Sequence, residues 1–245
     1  MRLSSSTWQQ APPPAVSTAR ADLVAAVARL VCGRGEGRLS VAVDGRTGAG
    51  KTSFGHELGL ALERVGRPAY RASLDDFKRP WAERGRYDRA TGEGYYRNAY
   101  DLPRIARDLA GPVHGEGRVR LCGIDPRTQV DHGREIAAMA PDGVLVVDGV
   151  FALRAELAPL WDVRIWLDVE AEVALERGLA RDLADGASVH AGEARELHRL
   201  RYAPAEELYL RETAVVSVAD MVVDNTDLAS PVLVTGGTAA LRPPP

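Results

Sequence analysis

Gly45-Arg46-Thr47-Gly48-Ala49-Gly50-Lys51-Thr52 follows the pattern G-x-x-x-x-G-K-[ST] in full. Its glycines let successive backbone N–H groups turn inward around phosphate oxygens, and the N-terminus of a following helix favours negative charge at the same place. In such a loop Lys51 reaches the β- and γ-phosphates of a nucleotide and the Thr52 hydroxyl binds Mg²⁺, with Ser53 closing the nucleotide-binding set. The flanks agree. A short apolar run over 39–44 reads as a buried strand ending at Asp44, and a helical pattern runs from about 51 to 65, where Gly66 and Pro68 break it.

Working outward, Leu23, Val24, Val27, Leu30 and Val31 predict a helix over 22–31. Further strands are expected over 69–74, 144–147, 163–169 and 221–223, and helices over 171–184 and 192–213, the second interrupted by Pro204. Strands that are apolar without alternation, interleaved with helices, predict a mostly parallel sheet covered by helices on both faces. Residues 78–141 break this rhythm. They are rich in Arg, Gly, Tyr and Asp, contain a candidate hairpin over 113–123, and read as an insertion over the C-terminal edge of the sheet, where open α/β folds bind ligands. A serine run at 4–6 and a proline run at 12–14 predict a disordered tail over 1–17, and 236–245 reads as a frayed end, leaving one domain over 18–235.

Four further motifs carry chemistry. Asp75 and Asp76 fall at the end of the second expected strand; one could take a proton from a substrate hydroxyl or hold the metal, or the pair could cap a helix. Asp148-Gly149 ends an apolar strand, as a carboxylate beside a phosphate loop does when it supports Mg²⁺, although many strands end in Asp-Gly turns. Arg177 and Arg181 share a helix face, either as phosphate ligands or as a solvated face with Glu176 and Asp182. The segment from Tyr95 through Tyr96, Tyr100, Asp101 and Pro103 offers rings to stack on a base and a carboxylate for ribose hydroxyls, or a helix capped by Asp101.

The chain has 245 residues, 45% hydrophobic and 27% charged, which excludes a mostly disordered, collagen-like or coiled-coil protein. A net charge of −3 gives no general attraction for nucleic acid or anionic membrane, and no apolar run approaches the ~20 residues of a membrane span. The polar first ten residues lack an apolar signal core, and two distant cysteines, Cys32 and Cys122, predict a reduced compartment, hence a cytoplasmic protein. Of 31 basic residues only Lys51 and Lys78 are lysines, both in or beside these motifs.

Together the motifs resemble the uridine kinase and phosphoribulokinase group of P-loop kinases, over about 39–227. The resemblance rests on their order: phosphate loop, Asp75-Asp76-Phe77, Tyr100-Asp101-Leu102-Pro103, acid-Gly strand end, then a helix bearing Arg181-Asp182. It implies an α/β P-loop NTPase fold with an inserted acceptor-binding region and a helical lid over about 171–200. It further implies ATP and Mg²⁺ as cofactors, with Asp75 as catalytic base, Lys51 on the phosphates and Asp148 with Thr52 on the metal. Arg177 and Arg181 would close over the phosphates. Asp101 would bind the acceptor, with Tyr100, Tyr96 and Lys78 beside it. The implied acceptor is a small molecule, foremost a nucleoside 5′-hydroxyl. Pantothenate, a sugar phosphate, or a nucleotide-binding regulator without transfer are the alternatives. Two departures stand out. Lys78 replaces a frequent Tyr, and 124–134 offers only His132, equally an ordinary loop histidine, where the group grips a uracil ring with Tyr and His.

Overall fold

In the computed structural model, which describes residues 1–7, 17–83, 85–184 and 190–235, seven strands form the main sheet. They are β1 (Arg2–Leu3), β2 (Leu39–Gly45), β3 (Ala69–Ser73), β4 (Val144–Asp148), β5 (Val163–Asp168), β6 (Met221–Asp224) and β7 (Val232–Thr235). Their spatial order is β1-β3-β4-β2-β5-β6-β7, parallel throughout except for β7, which runs antiparallel to β6. On one face Val41, Val43, Val146 and Ile165 pack beneath α1 (Thr18–Cys32) and α2 (Lys51–Arg64) through Val24, Val27, Leu58 and Leu62. On the other, Ala42, Leu145, Val147 and Trp166 meet the inserted region, which contains α3 (Gly92–Asn98), and the late helix Ala203–Glu212. Both faces are buried, so the strands show no polar alternation. The stretch expected as a lid, about 171–200, contains α4 (Ala171–Ala184) and α5 (Ala191–Leu197); Ala203–Glu212 is α6.

Register decides where the chemistry falls. Ser73 lies opposite Asp148, and Asp148 opposite Val43, so β3, β4 and β2 end side by side. Asp44, Asp75 and Asp148 are thereby gathered at one sheet edge, next to the loop that follows β2.

Four expectations change. Residues 1–7 are not a free tail: β1 pairs with β3, the Ser4 hydroxyl donates to Asp76 at 2.8 Å, and the Thr7 amide donates to Asp125 at 2.7 Å. An uncovered β3 would present an open sheet edge and leave the buried Asp76 carboxyl short of donors. The proline run at 12–14 and residues 236–245 lie outside the described residues. Instead of a local hairpin over 113–123, Arg118–Val119 pairs with the distant Ala137–Ala138. Just before that strand, Gly117, at φ +67, donates its amide to the Pro112 carbonyl at 2.9 Å, so residues 112–117 close as a turn of their own. The helix expected over 192–213 is relieved at Pro204 by a wider π turn, His198–Tyr202, because proline has no N–H to continue the ladder. Finally, β7 was not foreseen; Val232 and Val234 stay exposed on an edge strand, so no buried apolar run announces it. Among the described residues no helix is long and apolar enough to cross a membrane.

Burial pushes the Asp76 carboxyl up to about 7, against hydrogen bonds from Ser6 and Ser4 that favour its charged form. The folded protein therefore holds a proton that the unfolded chain releases above pH ~4. This group's contribution to stability is full below that value and is lost as pH rises through about 7. Asp76→Asn removes the titration. Its melting temperature relative to wild type is expected to climb by several degrees between pH 5 and pH 8; a difference independent of pH would refute the assignment.

Candidate active site

Gly48 and Gly50 adopt φ +85 and +87, a left-handed geometry that L side chains rarely take. Space forbids a side chain as well: a Cβ on Gly48 would stand 2.0 Å from the carbonyl oxygen of Ala174, on α4. Helix α4 thus lies directly on the phosphate loop. Three more contacts set the loop's shape. Lys51 Nζ donates to the Arg46 carbonyl at 2.7 Å, the Thr47 amide donates to Glu206 Oε1 at 2.7 Å, and Asn225 Nδ2 donates to the Ala49 carbonyl at 2.7 Å. Burial lowers the pKa of the Lys51 ammonium, opposed by the carboxylates of Asp44, Glu206 and Asp148 and reinforced by Arg181. Burial raises Asp44 to about 6, although Tyr209 Oη at 2.6 Å and the Leu153 amide at 2.9 Å both donate to it.

Behind the loop, Thr52 Oγ1 donates to Asp148 Oδ2 at 2.8 Å, while the other oxygen of Asp148 receives Arg71 Nη2 at 2.5 Å. Arg71 is buried in β3 beneath α2, and Gly55 makes the room: a Cβ there would come within 3.3 Å of the guanidinium. Thr52 and Asp148 are hard oxygen donors. Mg²⁺ accepts one or two such protein ligands and fills its octahedron with water and phosphate oxygens, so these residues fit it.

Asp75 lies in a 3-10 turn, Leu74–Phe77, capped not by either aspartate but by the Ser73 side chain. Its Oδ1 receives Tyr100 Oη at 2.9 Å and Lys78 Nζ at 3.0 Å. Burial pushes its carboxyl up, but the Lys78 ammonium and the two hydrogen bonds outweigh burial and hold it below the usual range. Asp76 points the other way, to Ser4. The adjacent acids therefore part company: one is ionised and faces a cavity, the other is sealed inside.

That cavity has a volume of ≈ 1080 Å³ and joins both ends of the sequence argument. Thr47, Gly48, Gly50, Lys51, Thr52 and Ser53 line it, together with Asp75, Lys78, Asp148, Arg177 and Arg181. Both lysines of the chain are among them. Gly45, Arg46 and Ala49 shape the loop without lining the cavity. Arg177 donates to the carbonyls of Asn225, at 3.0 Å, and Thr226, in the turn beside the phosphate loop. Arg181 pairs with Asp182 at 2.7 Å.

Three expected acceptor ligands stand elsewhere. Tyr96 is 2% exposed and packs edge-on against Phe151, 5.0 Å between centroids, so it offers no face to a ligand. Tyr100 is equally buried and reaches the cavity only through Asp75. Asp101 caps the short helix Leu102–Arg104 through the Arg104 amide, and opens onto a separate surface groove with Arg107 and Arg120. Helix capping, the competing reading from sequence, describes what Asp101 does here. His132 bonds Glu135 at 2.8 Å and does not line the cavity. Sequence reasoning missed Asp44, Arg71, Glu206 and Tyr209. Asp44 alone carried a signal, as an acid ending a buried strand at the loop; the other three are brought in by the fold.

No protein-family model matches the chain, and no curated protein is similar to it in sequence. Solved structures share its fold. A possible uridine kinase from Bacillus stearothermophilus is 21% identical, with a TM-score of 0.64 over 83% of this chain and 96% of that one. A candidate fructose transport system kinase from Silicibacter sp. TM1040 is 24% identical, with a TM-score of 0.62 over 76% of this chain and 94% of that one. D-glycerate 3-kinase from Cryptococcus neoformans is 14% identical, with a TM-score of 0.58 over 86% of this chain and 99% of that one. The chain has the α/β P-loop NTPase fold. Its structural neighbours are uridine kinase-like and related P-loop kinases, the group its motifs resemble.

Removing one member of a buried ion pair leaves the other charge uncompensated, at a cost of about 3–5 kcal/mol. Arg71→Met is therefore expected to lose about that much stability in urea denaturation. A loss below ~1 kcal/mol would mean that Asp148 is neutralised some other way.

Proposed function

We propose that this protein transfers the γ-phosphoryl group of ATP to a hydroxyl of a small molecule. The chief support is that Asp75, ionised and held by Tyr100 and Lys78, opens into the same cavity as Lys51, Thr52, Asp148 and Arg181. A carboxylate in that position can take the proton of an acceptor hydroxyl. The acceptor oxygen then bonds to the γ-phosphorus as the bond from that phosphorus to the β–γ bridging oxygen breaks, and ADP leaves.

The residues divide the work. Lys51 exchanges the Arg46 carbonyl for β- and γ-phosphate oxygens, and the loop amides, Thr47 included, exchange protein acceptors for phosphate. Thr52 and Asp148 would hold Mg²⁺, which when bound neutralises phosphate charge. Arg181, whose charge acts on both Lys51 and Asp75, sits to stabilise the transferring group. Arg177 serves the opposite end by fixing the Asn225-Thr226 turn beside the loop. A nucleoside 5′-hydroxyl is the acceptor that the sequence resemblance favours. Asp101 and Tyr96, which would grip it, lie off the cavity, so support for that acceptor rests on the likeness to a possible uridine kinase. A cytoplasmic setting, with a small-molecule acceptor and no nucleic-acid or membrane partner, fits the composition.

Asp75→Asn keeps the side chain's size but cannot take the proton. It is expected to lower kcat about 10²–10⁴-fold with ATP binding and melting temperature retained; a loss under ~10-fold would remove Asp75 from the mechanism. The ion pair with Lys78 keeps Asp75 charged throughout an ordinary assay, so wild type should show no acid limb from this group between pH 5 and 8. In Lys78→Met burial acts unopposed by the ammonium, the carboxyl pKa rises, and an acid limb in kcat/KM should move up into that window. An unchanged profile would show that Lys78 does not tune the base.

A further inference from the structure

The part of the cavity beyond Asp75 is lined by arginines that the phosphate-transfer reading leaves unused. Arg79 follows the 3-10 turn, and Arg201 lies in the π turn before α6. Both line the cavity and both are stacked on rings. The Arg79 guanidinium carbon lies 4.0 Å from the centre of Tyr87; that of Arg201 lies 4.4 Å from Tyr95 and 5.4 Å from Tyr202. Neither is held by a close carboxylate among the described residues: Arg79 makes one long ion pair, to Glu83 at 3.8 Å, and Arg201 makes none. The Nε–H of each is buried with no hydrogen-bond partner. A surface arginine would spend these donors on water; here burial and stacking withhold them.

The chemistry of such a pair is specific. A guanidinium pressed flat on an aromatic ring is fixed in orientation and presents its terminal N–H groups edge-on, the geometry that grips a phosphate or carboxylate with two parallel hydrogen bonds. Lys78 lies near Tyr95 and Tyr202, the rings that also carry Arg201, but is itself paired with Asp75. Asp88 feels the charge of Arg201, yet its hydrogen bonds go to Thr91 and the Ala90 amide. A neutral acceptor would leave the buried Nε–H groups of both arginines unmet, whereas an anionic one can take them up.

We propose that the acceptor is a hydroxy compound carrying an anionic group, a phosphate or a carboxylate, which Arg79 and Arg201 hold while the hydroxyl faces Asp75. The inference rests on the kinase reading above and narrows its substrate class away from an uncharged nucleoside.

The test uses the full-length protein saturated with Mg²⁺ and the non-hydrolysable analogue AMP-PNP, which fills the phosphate loop, titrated calorimetrically with inorganic phosphate, D-glycerate or uridine. Phosphate or glycerate is expected to bind saturably and more tightly than uridine; the better of the two identifies the anionic group. Arg79→Gln and Arg201→Gln are each expected to weaken that binding about 10–100-fold at unchanged AMP-PNP affinity and melting temperature, with Arg→Lys at either site recovering part of it. Tighter binding of uridine, no binding of either anion, or anion affinity unchanged in both variants overturns the inference and leaves the kinase reading standing. Weakened AMP-PNP binding in the two variants also overturns it, by assigning the arginines to the nucleotide. Failure of the wild-type protein to bind AMP-PNP at all refutes the kinase reading, and the inference with it.

Discussion

The buried pair of Arg71 and Asp148 is the interaction on which the rest of the site depends. Arg71 belongs to β3 and Asp148 to β4, and the guanidinium lies under α2 at Gly55. A cation inside the sheet is costly to desolvate and is tolerable only beside a fixed anion. Meeting that requirement places Asp148 at the end of β4, where its second oxygen takes the Thr52 hydroxyl. The first turn of α2, the phosphate loop and the tip of the central sheet are thereby held in one arrangement.

Around that pair the protein supplies internal partners for the polar groups of the phosphate loop. Glu206 accepts a loop amide, the Arg46 carbonyl takes the Lys51 ammonium, and Asp44 lies buried beneath with Tyr209 and Leu153 as donors. Each of these contacts satisfies a group that would otherwise be unpaired in a region of low dielectric, so the loop keeps its shape without phosphate. They also tie α6 to the loop. The helix that carries Glu206 and Tyr209 follows directly on the turn that carries Arg201, so a segment that braces the phosphate loop is continuous with one that lines the cavity.

The inserted region shows how aromatic residues can mislead a reading for ligands. Phe151 adopts φ +68, an unfavourable conformation for a bulky residue, just beyond the tip of β4. Tyr95, Tyr96, Tyr100 and Tyr209 surround its ring edge-on at 5.0–6.3 Å. Such packing holds the strained turn in place. The tyrosines whose spacing suggested a base-stacking box thus serve the core. Two of them also bear on the cavity: Tyr100 through its hydroxyl on Asp75, and Tyr95 as a lining residue beneath Arg201.

Sequence by itself determined the parallel sheet, the phosphate loop and the acid, Asp148, that ends the strand beside it. Those rest on local rules: glycines where φ must be positive, a lysine and a threonine at a helix start, apolar strands without alternation, and an acid at a strand tip. It also brought Asp75 and Lys78 into view, three positions apart and therefore within reach across a single turn. Only the tertiary structure could decide between Asp75 and Asp76, because which acid is sealed depends on Ser4, more than seventy residues earlier. The same holds for Asp101, whose spacing suits a ligand and a helix cap equally until the fold settles which way the cap faces. Arg71, Glu206 and Arg201 carry no local pattern at all. Their roles come from distant segments brought together in a dry interior, where each charge must find a partner or hold a place for one.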